Sequence, residues 1–437
     1  MNKTAIKNFA VNARNKLIEA VKRKAFELGV REKEIKELQE VSSDGIVIDG
    51  RIFNKNIKAQ RVKLVNRIKE TGYEQVVEEV SYTWFNRFIA LRFMEVNRYF
   101  DHDLNILSSL NPSVIASKAV NYLPLDKEKV KNLVFDSKDE ELYKELIVAQ
   151  CNVLHKSMPF LFEEINDCTE LLFPGGLLNQ DSLIREMVET IPEEDWKEVE
   201  ITGWLYQFYI SEKKEQVVGL DKGIIEKNDI PCATQLFTPK WIVQYMVQNS
   251  LGKLWYDCYP ESELINEWEF FLKPSTPEDN SQKRLELESI KLIDPCCGSG
   301  HILIYAFELF YNMYKAQGYV QKDIPYLIAK NNLYGLEICR RANQLAKFSL
   351  LMKIRSYTPD IKDITLNIFE LQDGRELSDE AIELICRDDK ETAEIKDVVK
   401  TFKDAKNFGS LIIPPDIDYN KYLDRIENLE LEEMSLF

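Results

Sequence analysis

One stretch of the 437 residues gathers the types that chemistry uses: SIKLIDPCCGSGHILIYAFELF, from Ser289. A short apolar strand, Ile290 to Ile293, ends in Asp294 and Pro295, turns through Gly298, Ser299 and Gly300, and enters a helix at about Ile302. Glycine belongs where a backbone must turn sharply and approach a ligand that a Cβ would strike. The carboxyl end of a strand is where open α/β sheets take their ligands. A dinucleotide fingerprint needs a third glycine where Leu303 stands, and a P-loop needs Gly-Lys-Ser/Thr, which is absent. An acid at the strand end repels a pyrophosphate and suits a zwitterion with an ammonium group. The turn therefore favours S-adenosylmethionine.

A second element, NNLYGLEICRRANQLAKFSLLMK, reads as a strand from Leu333 to Leu336, Glu337 at its end, and an amphipathic helix from Arg340 to Lys353. A carboxylate there can accept hydrogen bonds from both ribose hydroxyls of an adenosine. On its own Glu337 is an ordinary exposed acid; beside Asp294 and the glycine turn it becomes a ligand-binding candidate.

The elements that must position these residues divide at about residue 230. Residues 4 to 40 read as helix, with Ile6, Phe9, Ala10, Ala13, Leu17, Val21 and Leu28 at spacings of three and four. SYTWFNRFIALRFMEVNRYF, residues 81 to 100, interleaves aromatics with arginines as nucleic-acid-binding segments can, and reads more readily as a helix that packs aromatics inward while Arg87, Arg92 and Arg98 lie along its rim. Residues 1–230 are thus expected to form a mainly helical domain. Beyond Pro231 a loop leads to an amphipathic helix, with Thr238 as N-cap and Pro239 in the first turn. PSTPEDNSQKR, residues 274 to 284, is a surface loop. From Ile290 strand and helix alternate, the opening of a doubly wound, Rossmann-like α/β domain. ITLNIFEL and GSLIIP are candidates for further strands, with Glu370 or Asp373 at the adenine end of a cofactor.

Composition narrows the class. With 45% hydrophobic and 30% charged residues, no long apolar run and no signal-peptide core at the start, a soluble cytoplasmic protein without a membrane span is expected. Eight scattered cysteines and three histidines predict neither a disulfide framework nor a metal site. The net charge of −16 excludes a simple nucleic-acid-coating protein. Residues 1–100 nevertheless carry 20 Lys/Arg against 13 Asp/Glu, so a basic head could touch DNA, or be no more than an uneven solvated surface.

DPCCGSGH resembles the first cofactor motif of amino-methylating DNA methyltransferases, YGLEI the second, and QLFTPKWIVQYM the motif that precedes both in their γ-type order. SYTWFNRFIALRFMEVNRYF, GWLYQFYISEKK and EICRRANQLAKFSLLMK are similar to the PglX family, the adenine-specific methyltransferases of BREX phage-defence systems, with matches from near residue 1 to KNFGSLI. The resemblance implies N6-adenine methylation of double-stranded DNA with S-adenosylmethionine as cofactor. It puts Phe237, Thr238 and Pro239 at the methionine end, Asp294, Pro295, Cys296, Gly298, Ser299 and Gly300 in the cofactor turn, and Glu337 at the ribose. Cys296 stands where the family usually has Ala, and Cys296 and Cys297 are read as packing residues.

Asn-Pro-Pro-Tyr, which in this family holds the flipped adenine, occurs nowhere in the 437 residues, so no catalytic residue is assigned. Residues 231–437 are therefore expected to be a methyltransferase domain cut off before that motif. The polypeptide is expected to be inactive alone, needing a second polypeptide or other defence proteins. Two alternatives stand beside this: a non-enzymatic cofactor-binding or scaffold subunit of a defence complex, and an unrelated metabolic methyltransferase.

Overall fold

The computed structural model describes residues 1–426 apart from 42–44, 110, 164–167, 219–224, 226–228, 275–283, 360, 362–363 and 375–376. The expected surface loop at 274–284 therefore lies almost wholly outside the described residues.

The first helix, Lys3–Glu27, begins where the Asn2 side chain accepts the Ala5 N–H, and buries Ile6, Phe9, Ala10, Ala13, Leu17 and Val21 on one face. It stops 13 residues short of the expected end. The chain instead builds a three-stranded antiparallel sheet: β1 (Leu38–Glu40), β2 (Gly45–Ile48) and β3 (Arg51–Asn54). Its signal was in the sequence. Asp49-Gly50, both at positive φ, sits between β-branched runs, a combination that closes a tight hairpin.

Helix Tyr73–Val96 is surrounded, so it buries Trp84, Phe85, Phe88 and Phe93 together with Arg87 and Arg92. The expected rim position of those two arginines is wrong. Arg87 donates from Nε to the Leu161 carbonyl at 3.2 Å and lies over the Trp84 ring. Arg92 lies 3.1 Å from Glu95 and 3.2 Å from Glu193. Buried guanidinium groups persist because partners replace the water they lose. Much of the positive charge of residues 1–100 is also matched locally, as in Arg14–Glu78, Lys22–Glu74, and Lys55 and Lys58 with Glu40.

Further along, β4 (Leu292–Asp294), β5 (Leu333–Glu337) and β6 (Asn367–Glu370) form a parallel sheet in the order 4-5-6. β4 starts two residues later than expected and includes Asp294, since Leu287–Ser289 is a 3₁₀ turn and Ile290 caps it. GSLIIP supplies no strand: Gly409–Leu411 is a 3₁₀ turn after the short helix Ala405–Phe408. Helices His301–Ala316 and Arg340–Arg355 cover one face of the sheet. On the other face Ile293 is 58% exposed and Phe369 is 54% exposed.

Helix Arg340–Arg355 divides its apolar side chains. Ala342, Leu345, Phe348, Leu351 and Met352 enter the core of the amino-terminal helices, while Ala346, Leu350 and Ile354 enter the core around the parallel sheet. A buried bond of 2.8 Å between the Thr202 and Ser349 hydroxyls adds a second tie. Among the described residues, no helix is long and apolar enough to cross a membrane.

Candidate functional site

The glycine turn at the end of β4 is built by local hydrogen bonds. The Cys296 N–H donates to Asp294 Oδ1 at 3.1 Å, the Cys297 N–H to the Leu336 carbonyl at 3.0 Å, and the Gly300 N–H to the Cys297 carbonyl at 2.7 Å. Gly298 has φ +53° and Gly300 φ +86°, the left-handed region that glycine enters at least cost. Gly300 also faces helix Arg340–Arg355, where an added Cβ would stand 3.1 Å from Ala346 Cα. Valine at Gly300 combines backbone strain with that collision. Gly300→Val is expected to cost of the order of 2 kcal/mol or more, read as a lowered melting temperature.

Glu337 ends β5 with both oxygens engaged by backbone. Oε2 accepts the Gly298 N–H at 2.8 Å and Oε1 the Cys339 N–H at 2.9 Å. The Gly298–Glu337 bond, with that from the Cys297 N–H to the Leu336 carbonyl, thus joins the two motifs that the sequence offered separately. Pro295, Cys296, Gly298, Ser299 and Glu337, with Phe237 and Thr238 from the opposite wall, line a cleft of about 420 Å³. Asp294, Pro239 and Gly300 stand behind this lining rather than in it.

Thr238 does not cap the following helix. Pro239 precedes Lys240–Gln248 and its carbonyl accepts the Ile242 N–H, while Thr238 turns its own carbonyl towards His301 Nδ1, 3.2 Å away. Proline, lacking an N–H, suits the start of a helix. Phe237 is buried between Trp204 and His301, with ring centroids at 4.1 and 4.4 Å.

Sequence reasoning missed two further walls. Tyr206, Gln207 and Ile210 reach the cleft from helix Glu200–Val218, and residues Lys406 to Leu411 close another side. The first was visible only as the phrase GWLYQFYISEKK, with nothing in its composition to mark a site. Of the adenine-end candidates, Asp373 lines an adjoining cavity of about 350 Å³ and accepts the Lys406 N–H, whereas Glu370 lies 3.6 Å from Lys406 Nζ and lines neither space.

Asp294 is 7% exposed and Glu337 is 6% exposed, and neither has an ion-pair partner among the described residues. Burial pushes the Asp294 carboxyl above its ordinary range, against the opposing Cys296 hydrogen bond. Burial also raises Glu337, the Asp294 charge adds to this, and the amides of Cys339, Gly298 and Ile338 oppose it. Two buried carboxylates without a cation favour a ligand that is positively charged and rich in donors. His301 is held below its usual value by burial, with Glu200 Oε1 3.7 Å from Nε2. Cys297 is buried and its thiol is pushed far up, which suits packing; Cys296 is exposed, with its sulfur 3.4 Å from the Ser410 hydroxyl.

Comparison with known proteins adds a decisive observation. The adenine-specific methyltransferase BrxX of Escherichia coli O9:H4 (strain HS) is 39% identical over 99% of this chain. The chain is a relative of the BrxX and PglX methyltransferases. The adenine-specific methyltransferase PglX of Lacticaseibacillus casei (strain Zhang) is 34% identical over 94% of the chain. A putative type II restriction enzyme and methyltransferase of Methanocaldococcus jannaschii is 22% identical over 62% of the chain and 24% of its own length. No protein-family model matches. The chain spans about two fifths of the length of BrxX and PglX, 40% and 38%.

Within the span shared with BrxX and PglX, no Asn-Pro-Pro-Tyr occurs in this sequence. The nearest fragments have structural duties. Asn111 caps helix Pro112–Ala119 through the Val114 N–H, and the Pro415 carbonyl accepts the Tyr419 hydroxyl.

Proposed function

We propose that the cleft holds S-adenosylmethionine and that the chain is the cofactor-binding part of an adenine-specific DNA methyltransferase of BREX type. The observation that carries this is the Glu337–Gly298 bond beside buried Asp294, which presents a carboxylate and a glycine turn side by side at the ends of parallel strands. The strand–helix alternation fits a Rossmann-like domain, and a boundary near residue 230 fits the change of texture there.

In this reading Asp294 orders the turn and attracts the positive methionine end, with Phe237 and Thr238 on the facing wall. Glu337 keeps free lone pairs for ribose hydroxyls while the backbone fixes its orientation. The cofactor would supply the methyl group. Transfer to an adenine N6 in DNA then requires residues that flip and align the base, and Asn-Pro-Pro-Tyr is not among these 437. A second reading is a cofactor-binding or scaffold subunit with no catalysis of its own. The two separate on whether methylation appears once a polypeptide bearing the motif is added.

Photocrosslinking of radiolabelled S-adenosylmethionine, competed by S-adenosylhomocysteine, tests the site directly. Label that fails to attach, or attaches equally with excess competitor, sinks the proposal.

The raised carboxyl groups give affinity a pH dependence. A cationic ligand favours ionised Asp294 and Glu337, so binding strengthens as pH rises through their raised values and releases protons. Stability of the free protein runs the other way. These groups stabilise the fold most below the unfolded carboxyl range of about 4, and that contribution is lost as pH climbs through the folded values. Calorimetry across mildly acidic pH, in two buffers of different ionisation enthalpy, should detect the release. An affinity independent of pH there would refute this account.

A further inference from the structure

Helix Glu200–Val218 belongs to the amino-terminal helical part; besides sending Tyr206, Gln207 and Ile210 into the cleft, it packs a residue without a side chain, Gly203, against two of the lining residues. A Cβ built on Gly203 would lie 2.5 Å from Phe237 Cε2 and 3.0 Å from the Ser299 hydroxyl. These two neighbours come from the two walls of the cleft, the turn before Pro239 and the turn after β4. Glycine inside a helix sacrifices stability relative to alanine, so its presence as the fourth residue of this one calls for a local cause. Here the cause is space.

Nor can the Phe237 ring slide away freely. Trp204, the residue after Gly203, stands 4.1 Å from it on one side, and His301 stands 4.4 Å away on another. Lys3 from the first helix lies 4.0 Å over the Trp204 ring, and the Trp204 indole N–H donates to Glu200 at 3.2 Å. His301 in turn is bonded to the Thr238 carbonyl. Moving Phe237 therefore displaces Trp204, or the His301–Thr238 contact, or both.

We propose that Gly203 is a positioning residue for the cofactor site: its missing side chain seats Phe237 and Ser299 against the helical part, so that part sets the width of the cleft. The inference rests on the proposed cofactor reading for its affinity readout, and on packing alone for its optical one. Gly203 touches no cofactor itself and acts through Phe237.

A double-mutant cycle tests it. Gly203→Ala should weaken S-adenosylmethionine binding at least tenfold without lowering the melting temperature, because alanine is the better helix former. Made in a Phe237→Leu background, where the shorter side chain vacates the contested space, the same change should weaken binding less than twofold. A merely structural role predicts equal losses in both backgrounds, and that result, like unchanged affinity in Gly203→Ala, overturns the proposal. If Gly203→Ala also lowers the melting temperature, the cycle is read on that temperature, with rescue by Phe237→Leu required. Should the wild type bind no cofactor, the cofactor reading fails separately. The packing claim then stands or falls on Trp204 emission in the ligand-free protein, isolated by subtracting a Trp204→Phe control. Gly203→Ala must shift it and Phe237→Leu must restore it.

Discussion

Asp294→Asn is expected to cut S-adenosylmethionine affinity tenfold to a hundredfold while leaving the ligand-free protein as stable as before, or more so. The two effects have one origin. Asp294 is buried with one hydrogen-bond partner among the described residues, the Cys296 amide, and holding its charge there without a cation costs free energy. Asparagine keeps the size and the acceptor that orders the turn, and removes the buried charge. Its loss is felt only when a cationic ligand arrives. Asp294 stands behind the cleft lining, so what is lost is the attraction of a buried charge for the cation, and each 1.4 kcal/mol of it is about tenfold in affinity. Differential scanning with and without ligand reads both quantities in one experiment. At about a hundredfold excess over Kd the wild type should gain about 2.7 kcal/mol, and the variant far less. Glu337→Gln should also lose affinity, but with some loss of ligand-free stability, since an amide cannot accept from Gly298 and Cys339 at both ends. Equal ligand-induced shifts in wild type and both variants would place the cofactor elsewhere.

The second large effect is an activity that should be missing. Incubated with tritiated S-adenosylmethionine and DNA from a host without BREX, the 437-residue polypeptide should leave the DNA unlabelled. Alignment of a nucleophile with its reacting partner accounts for about 7–11 kcal/mol of a barrier. The Asn-Pro-Pro-Tyr expected to align an adenine N6 does not occur in these 437 residues. Adding a polypeptide that carries an Asn-Pro-Pro-Tyr segment and a target-recognition region should bring labelling up from background. N6-methyladenine made by residues 1–437 alone would mean that another residue set does the aligning.

Much of the candidate cleft's turn was legible because its demands are local. A turn at positive φ needs glycine at Gly298 and Gly300, and a strand-end acid announces itself beside it, so Asp294, Gly298, Gly300 and Glu337 could be named from spacing. Long-range demands were not legible. Gly203 looks like any helix-weakening glycine until the fold brings Phe237 within reach. Arg87 and Arg92 look like rim residues until Leu161 and Glu193 arrive as partners from elsewhere in the sequence. The helix expected over residues 4 to 40 runs over β1, while the β2–β3 hairpin beyond it is marked by Asp49-Gly50. GSLIIP failed for the opposite reason: apolar composition permits a strand but does not supply a neighbour to pair with.

The uncovered side of the parallel sheet sets conditions for handling the protein. Ile293, Tyr334, Leu336 and Phe369 project from that side by their register, and among the described residues β4 pairs only with β5, so its outer edge offers unpaired peptide groups. Such an edge beside apolar side chains is a template for sticking to copies of itself. Solutions of the protein should therefore turn cloudy with rising concentration and salt sooner than a charge of −16 would suggest.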